Sequence, residues 1–142
     1  MCWNFHFTEP MLKILDIGPE AQAHLLEKIG EPAIRDQTII LLGGLGDERA
    51  VEPIINAMIA KDDLAFIPDA ARINLTANLA LTNITVTDVI WHHGGGIELL
   101  RCPESPKECW TEWWEKNKGT FTVKRIKQSR RYSNYHNYGI YK

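Results

Sequence analysis

The sequence predicts an all-α fold: a short superhelical stack of helix pairs, an α-α superhelix, closed by a tryptophan-rich helix and followed by an irregular tail. Three observations carry this expectation. A helical stripe of apolar and small residues occurs twice with the same internal spacing, a partner helix fits between the two copies, and three tryptophans share one face of a later segment. With 142 residues, 44% of them hydrophobic and 24% charged, the chain is long enough to bury one continuous core.

The first stripe is Ile34, Thr38, Leu41, Leu42 and Leu45, and the second is Ile73, Ala77, Ala80, Leu81 and Ile84. Both step by 4, 7, 8 and 11 positions from their first member, as one buried side of a helix does. Pro32 marks the start of the first helix. Asp69, after Pro68, is expected to cap the second, because its carboxylate can accept from unpaired first-turn amides. Between them Val51, Ile54, Ile55, Met58 and Ile59 form the face of a partner helix, set off by Gly46 as a terminator and Asp47 as a cap. Pro53 predicts either a kink or a true start near Glu52, since proline has no amide to donate. An equivalent earlier helix carries Ala21, Leu25, Leu26 and Ile29. Two helices per unit, short polar joints and a period in the thirties describe units that bury their faces only against neighbours.

The stretch from Gly30 to Met58, GEPAIRDQTIILLGGLGDERAVEPIINAM, resembles the HEAT-like repeats first recognised in phycobiliprotein lyases. Their units end one helix in Leu-Gly-x-Leu-Gly-Asp and continue with Arg-Ala-Val-x-Pro-Leu-Ile. Leu42, Gly43, Leu45, Gly46, Asp47, Arg49, Ala50, Val51, Pro53, Ile54 and Ile55 match. The likeness covers roughly residues 12 to 85; 62 to 68 read as an insertion, and nothing after Thr85 continues the repeat. It implies a fold and no catalytic residue, because such repeats serve lyases and scaffolds alike.

Residues 1 to 118 are read as the helical domain with its cap, and 119 to 142 as a basic, tyrosine-rich tail. Gly94 to Gly96, Pro103 and Pro106 place a loop before the cap, with a short apolar piece at 97 to 100. Trp110, Trp113 and Trp114 then share a face at i, i+3 and i+4, and Glu112 can pair with Lys116. This segment is similar to the terminal part of some bacterial repeat proteins. Capping of the open end is expected, because burying an indole gains about 2 to 3 kcal/mol, whereas three exposed indoles invite aggregation. An exposed aromatic platform for a partner is the alternative.

Charge divides the chain. Residues 1 to 115 hold all 18 acids with eight Lys and Arg; 116 to 142 hold eight Lys and Arg and no acid. In the tail, Lys124, Arg125, Lys127, Arg130, Arg131 and Tyr132 combine phosphate attraction with stacking, the ingredients of single-stranded nucleic-acid binding. Tyr132, Tyr135, Tyr138 and Tyr141 recur every third residue, and Phe121, Val123 and Ile126 allow a short strand. The plainer reading is a frayed segment, or one folded back on its acidic body.

Other chemistry is weaker. His92, His93, Cys102 and Cys109 lack the paired spacing of structural zinc sites. Cys102 and Cys109 read as unrelated thiols, or as a disulfide if the chain is exported. The His-Gly-Gly-Gly of 93 to 96 has no accompanying Gly-x-Ser-x-Gly, Gly43-Gly44-x-Gly46 is explained as a helix end, and Asp62, Asp63 and Asp69 as a solvated loop. No metal or cofactor is expected. Neither a membrane span nor a signal peptide is found. Three cysteines lean toward a reducing, cytoplasmic setting. The opening MCWNFHFTEP runs straight into repeat-like sequence, as though the chain began inside a longer array, and a missing upstream part could carry an export signal.

The expected function is protein binding without catalysis, through polar positions on the second helices of each pair: Arg35, Asp36, Asn74 and Asn78. Asparagines at such positions can instead bond helices together. The rival partners are nucleic acid, held by the tail as in HEAT-like alkylpurine DNA glycosylases, and a bilin, as in a lyase relative.

Overall fold

The computed structural model describes residues 8–45, 48–85, 102 and 104–119, apart from the side chains of 19 and 83. These residues form six α-helices, the first five linked through 3-10 turns, and among them there is no strand. The tail beyond 119, the loop residues 86–101, and the Gly46 and Asp47 punctuation lie outside the described residues.

Helix α1, Glu9–Ile17, precedes the helices read from the repeat. Thr8 sits in extended backbone and its hydroxyl accepts from the Met11 amide at 3.4 Å. Gly18 ends the helix at φ 80°, a conformation that costs other residues more. After a 3-10 turn, α2 spans Gln22–Lys28, so Ala21 and Ile29 flank the helix they were expected to occupy. Pro32 opens a 3-10 turn, Pro32–Ile34, and α3 follows as Arg35–Leu45. Ile34 therefore precedes the helix and is 39% exposed, the one member of the first stripe that stays out of the core.

Helix α4, Val51–Ala57, places Pro53 in its first turn, where the missing amide costs nothing. That settles the alternative in favour of a start near Glu52. The segment read as an insertion is a series of turns, with a 3-10 helix at Lys61–Asp63 and Phe66 held 82% exposed. Asp69 precedes α5, Ala70–Thr85, but at φ 61° rather than in the extended geometry of a usual cap. Its carbonyl accepts from Ile73 and its carboxylate lies 3.5 Å from Arg72. Helix α6 is Pro106–Asn117.

The two stripes meet. Helices α3 and α5 pack on each other more extensively than any other pair; α1 and α2 lie against α3, and α4 and α6 lie against α5 and each other. Leu41, Leu42 and Leu45 join Ala77, Ala80, Leu81 and Ile84 in one core with Trp110. Neither central helix has a charged residue beyond its first turn: α3 has none after Asp36 and α5 none after Arg72. In α5, Thr76, Asn78, Leu79 and Thr82 are buried along with the stripe, so burial goes almost all round.

The two backbones come close at Gly43. A Cβ there would stand 2.8 Å from the Cβ of Ala80 and 2.9 Å from its Cα. Two opposing effects meet in Gly43→Ala: relief of glycine's helix penalty, about 1 kcal/mol, and overpacking against backbone, about 1 to 3 kcal/mol. The clash with a main-chain atom decides the sign. Urea unfolding should show the variant destabilised by about 1 to 2 kcal/mol net, with part recovered in Gly43→Ala/Ala80→Gly. A neutral or stabilised single variant would contradict the packing.

Candidate functional site

An open groove of about 340 Å³ lies where the end of α2, the start of α3 and the end of α4 converge. Ile29, Pro53, Ala57, Met58 and Ile59 give it an apolar lining, with Arg35 and Asn56 as its polar groups. Arg35 is positioned by the chain reversal between α2 and α3. Its Nε donates to the Ile29 carbonyl at 3.3 Å and its Nη2 to the Gly30 carbonyl at 3.4 Å, so the guanidinium completes the open C-terminal end of α2. A guanidinium has five N–H donors, and these two bonds leave the group capacity for an external carboxylate or carbonyl.

Asp36, the next residue, faces α5 instead. Its carboxylate is 3.0 Å from Arg72 Nε, and Arg72 also reaches Asp69. With Arg72 56% exposed, this pair contributes at most about 1 kcal/mol.

Asn74 and Asn78 are not on an outer surface. Both are buried, at 4% and 3% exposure, and the placement expected from sequence is corrected. The physical reason is that each amide saturates polar groups that would otherwise be stranded in the core. Asn74 Oδ1 accepts from the Ile59 amide at 2.7 Å, and its Nδ2 donates to the Ile59 carbonyl at 2.9 Å. This double contact fixes the chain where it leaves α4. Asn78 Oδ1 accepts from Trp110 Nε1 at 2.8 Å, while its Nδ2 donates to the Cys102 carbonyl at 2.6 Å.

The second contact explains the cap. Trp110 is fully buried, with Trp113 edge-on to it at 5.6 Å and Trp114 stacked on Trp113 at 6.4 Å. Trp113 and Trp114 are half-buried against the core. Three polar contacts hold α6 to the α4 region: Lys107 Nζ on the Met58 carbonyl at 2.9 Å, Glu108 accepting from the Lys61 amide at 3.3 Å, and Trp114 Nε1 on Glu52 at 3.4 Å. On its outer side the expected Glu112–Lys116 pair forms at 2.9 Å, and Lys116 lowers the Glu112 carboxyl below its ordinary range by hydrogen bond and charge. A depressed carboxyl favours the fold above its unfolded value, and this small contribution disappears as pH falls through the folded one.

Cys102 and Cys109 are joined in a disulfide, which corrects the reading of two unrelated thiols. A bridge over seven positions lowers the entropy of the unfolded chain by an amount worth about 2.5 kcal/mol on the loop-closure account. It also removes two candidate zinc ligands, and among the described residues no group of three metal-binding side chains occurs. No helix there is long and apolar enough to cross a membrane. His92, His93 and the tail residues Lys124, Arg125, Lys127, Arg130, Arg131 and Tyr132 lie outside the described residues.

Sequence reasoning placed Arg35 among the site residues but missed the groove beside it, because the lining comes from segments that only the fold brings together. The buried asparagines did leave a trace, since 74 and 78 are one turn apart in a helix with no charged residue beyond Arg72. Asn78→Leu should leave the Trp110 N–H and the Cys102 carbonyl unpaired and cost about 2 to 4 kcal/mol in chemical denaturation. Asn74→Ala should cost about 1 to 3 kcal/mol. Retained stability in both would show that neither the exit of α4 nor the cap depends on these amides. No family model matches this chain, and neither does any curated protein or solved structure.

Proposed function

We propose that this chain is a binding module built as a short HEAT-like stack, which receives an extended protein segment in the groove beside Arg35 and performs no catalysis. The observation that carries this reading is a preformed apolar trough whose one cation, Arg35, stands at its edge, between the first turn of one helix and the carbonyl end of another. A groove of that chemistry suits an aliphatic or aromatic side chain followed by a carboxylate or backbone carbonyl. The helix pairing supports the stack: α2 packs on α3, α4 on α5, and α3 on α5, as expected of two successive pairs joined through their second helices. Asp36 sits beside the groove in an ion pair, and Asn74 and Asn78 serve the stack from inside rather than meeting the partner.

Displayed-peptide selection against the full chain tests this reading. Enriched peptides should carry an apolar residue with an acidic neighbour or free carboxylate, and Arg35→Glu should weaken them at least about tenfold, some 1.4 kcal/mol. Glu112→Gln, on the outer side of α6 and outside the groove lining, should leave binding unchanged. Peptides that bind Arg35→Glu as tightly as the parent would refute the groove. Affinity for single-stranded nucleic acid that falls steeply with salt and needs residues 120–142 would favour the nucleic-acid reading instead.

A further inference from the structure

The two sulfurs of the Cys102–Cys109 bond stand in unlike surroundings. Cys102 is 1% exposed, with its carbonyl tied to Asn78, whereas Cys109, at the start of α6, packs against the edge of the core and is only half-buried. Next to Cys109 is Trp110, whose indole also ends on Asn78. The disulfide and the two hydrogen bonds therefore close a ring through Asn78, Cys102, Cys109 and Trp110. Covalent chemistry at this bond acts directly on the seat of the cap helix.

We propose that Cys102 and Cys109 form a thiol–disulfide exchange site, with Cys109 the sulfur that meets the outside reagent and Cys102 the sulfur that resolves it. The oxidant is a small-molecule or protein disulfide, and the reductant is a dithiol. In closure, Cys109 gives its proton to solvent and its thiolate attacks one sulfur of the oxidant; that disulfide breaks and one half leaves as a thiolate. Cys102, deprotonated in turn, attacks the Cys109 sulfur, the mixed bond breaks, and the second half leaves. Two electrons have passed from the cysteines to the oxidant, which ends as two thiols. Opening reverses the order: one thiolate of the dithiol attacks Cys109, Cys102 departs as a thiolate and takes a proton, and the second thiol then displaces Cys109. Access dictates this direction, because exchange requires an in-line approach to the attacked sulfur, which the burial of Cys102 denies. Opening frees the covalent tie at the cap and leaves core packing and hydrogen bonds to seat Trp110. This inference is independent of what the groove binds.

The test uses the full chain with Cys2→Ser, so that only this pair remains. Partial reduction with reduced glutathione, acid trapping and peptide mapping should place the mixed disulfide on Cys109. Adducts on Cys102, or equally on both, overturn the proposal, as do two free thiols after refolding with oxidised glutathione. In the same background, Cys102→Ser should take up one glutathione from oxidised glutathione, and Cys109→Ser should react at least about tenfold more slowly. Circular dichroism checks that both variants fold, and the mapping on the unmutated pair decides the matter if either does not. Complete reduction should shift Trp emission toward that of a wetter indole; unchanged emission would show that the bond does not seat the cap.

Discussion

The contact between Gly43 and Ala80 sets the geometry of the molecule. Two helix backbones can approach this closely only where the side chains between them are a hydrogen and a methyl group. The approach brings the apolar faces of α3 and α5 into one core, and every other helix is placed by reference to that pair. Interiors at this density have no room to absorb an added atom, so the choice of glycine there is steric rather than a matter of turn formation. The repeat resemblance reads Gly43 as part of a helix-end signature; in the structure it lies in the last turn of α3 and is also where the backbone of α5 comes close.

A helix buried on nearly all sides has to dispose of its polar groups, and α5 does so with two amides. Asn74 mimics a backbone partner for Ile59, holding both the amide and the carbonyl where α4 has stopped supplying them. Asn78 gives the indole of Trp110 the acceptor that a buried indole needs. One turn of one helix thus secures the exit of α4 and the docking of α6. The hydroxyls of Thr38 and Thr85 are satisfied within their own helices, on the carbonyls four residues earlier. The buried Gln22 Oε1 and Thr82 Oγ1 lack such a partner among the described residues.

The groove follows from how the helices end. Helix α4 stops after two turns, and Met58 turns away into extended backbone, which leaves a recess against the end of α2. Arg35 fills the electrostatic need of that end through two carbonyls. It is thereby held in one orientation, and under the proposed binding it would lose little side-chain freedom. The same residue closes the end of α2 and lines the groove, whereas Asp36 beside it is committed to Arg72.

The helical class, the two matching stripes and the tryptophan helix were readable from the chain by itself, because each depends on side-chain periodicity, a local property. Helix α1 was readable in principle from Thr8, Pro10 and the spacing of Met11, Leu12 and Leu15, but it has no counterpart in the two matching stripes. Periodicity could not say which polar residues face inward. Asn74 and Asn78 resemble surface positions until Ile59 and Trp110, distant in sequence, are brought against them. The groove at Arg35 was decided in the same way, since it needs separate segments to meet, and that is fixed by packing rather than by any one segment's composition; the Cys102–Cys109 bond spans only seven positions, and the structure chose between the two readings the sequence left open.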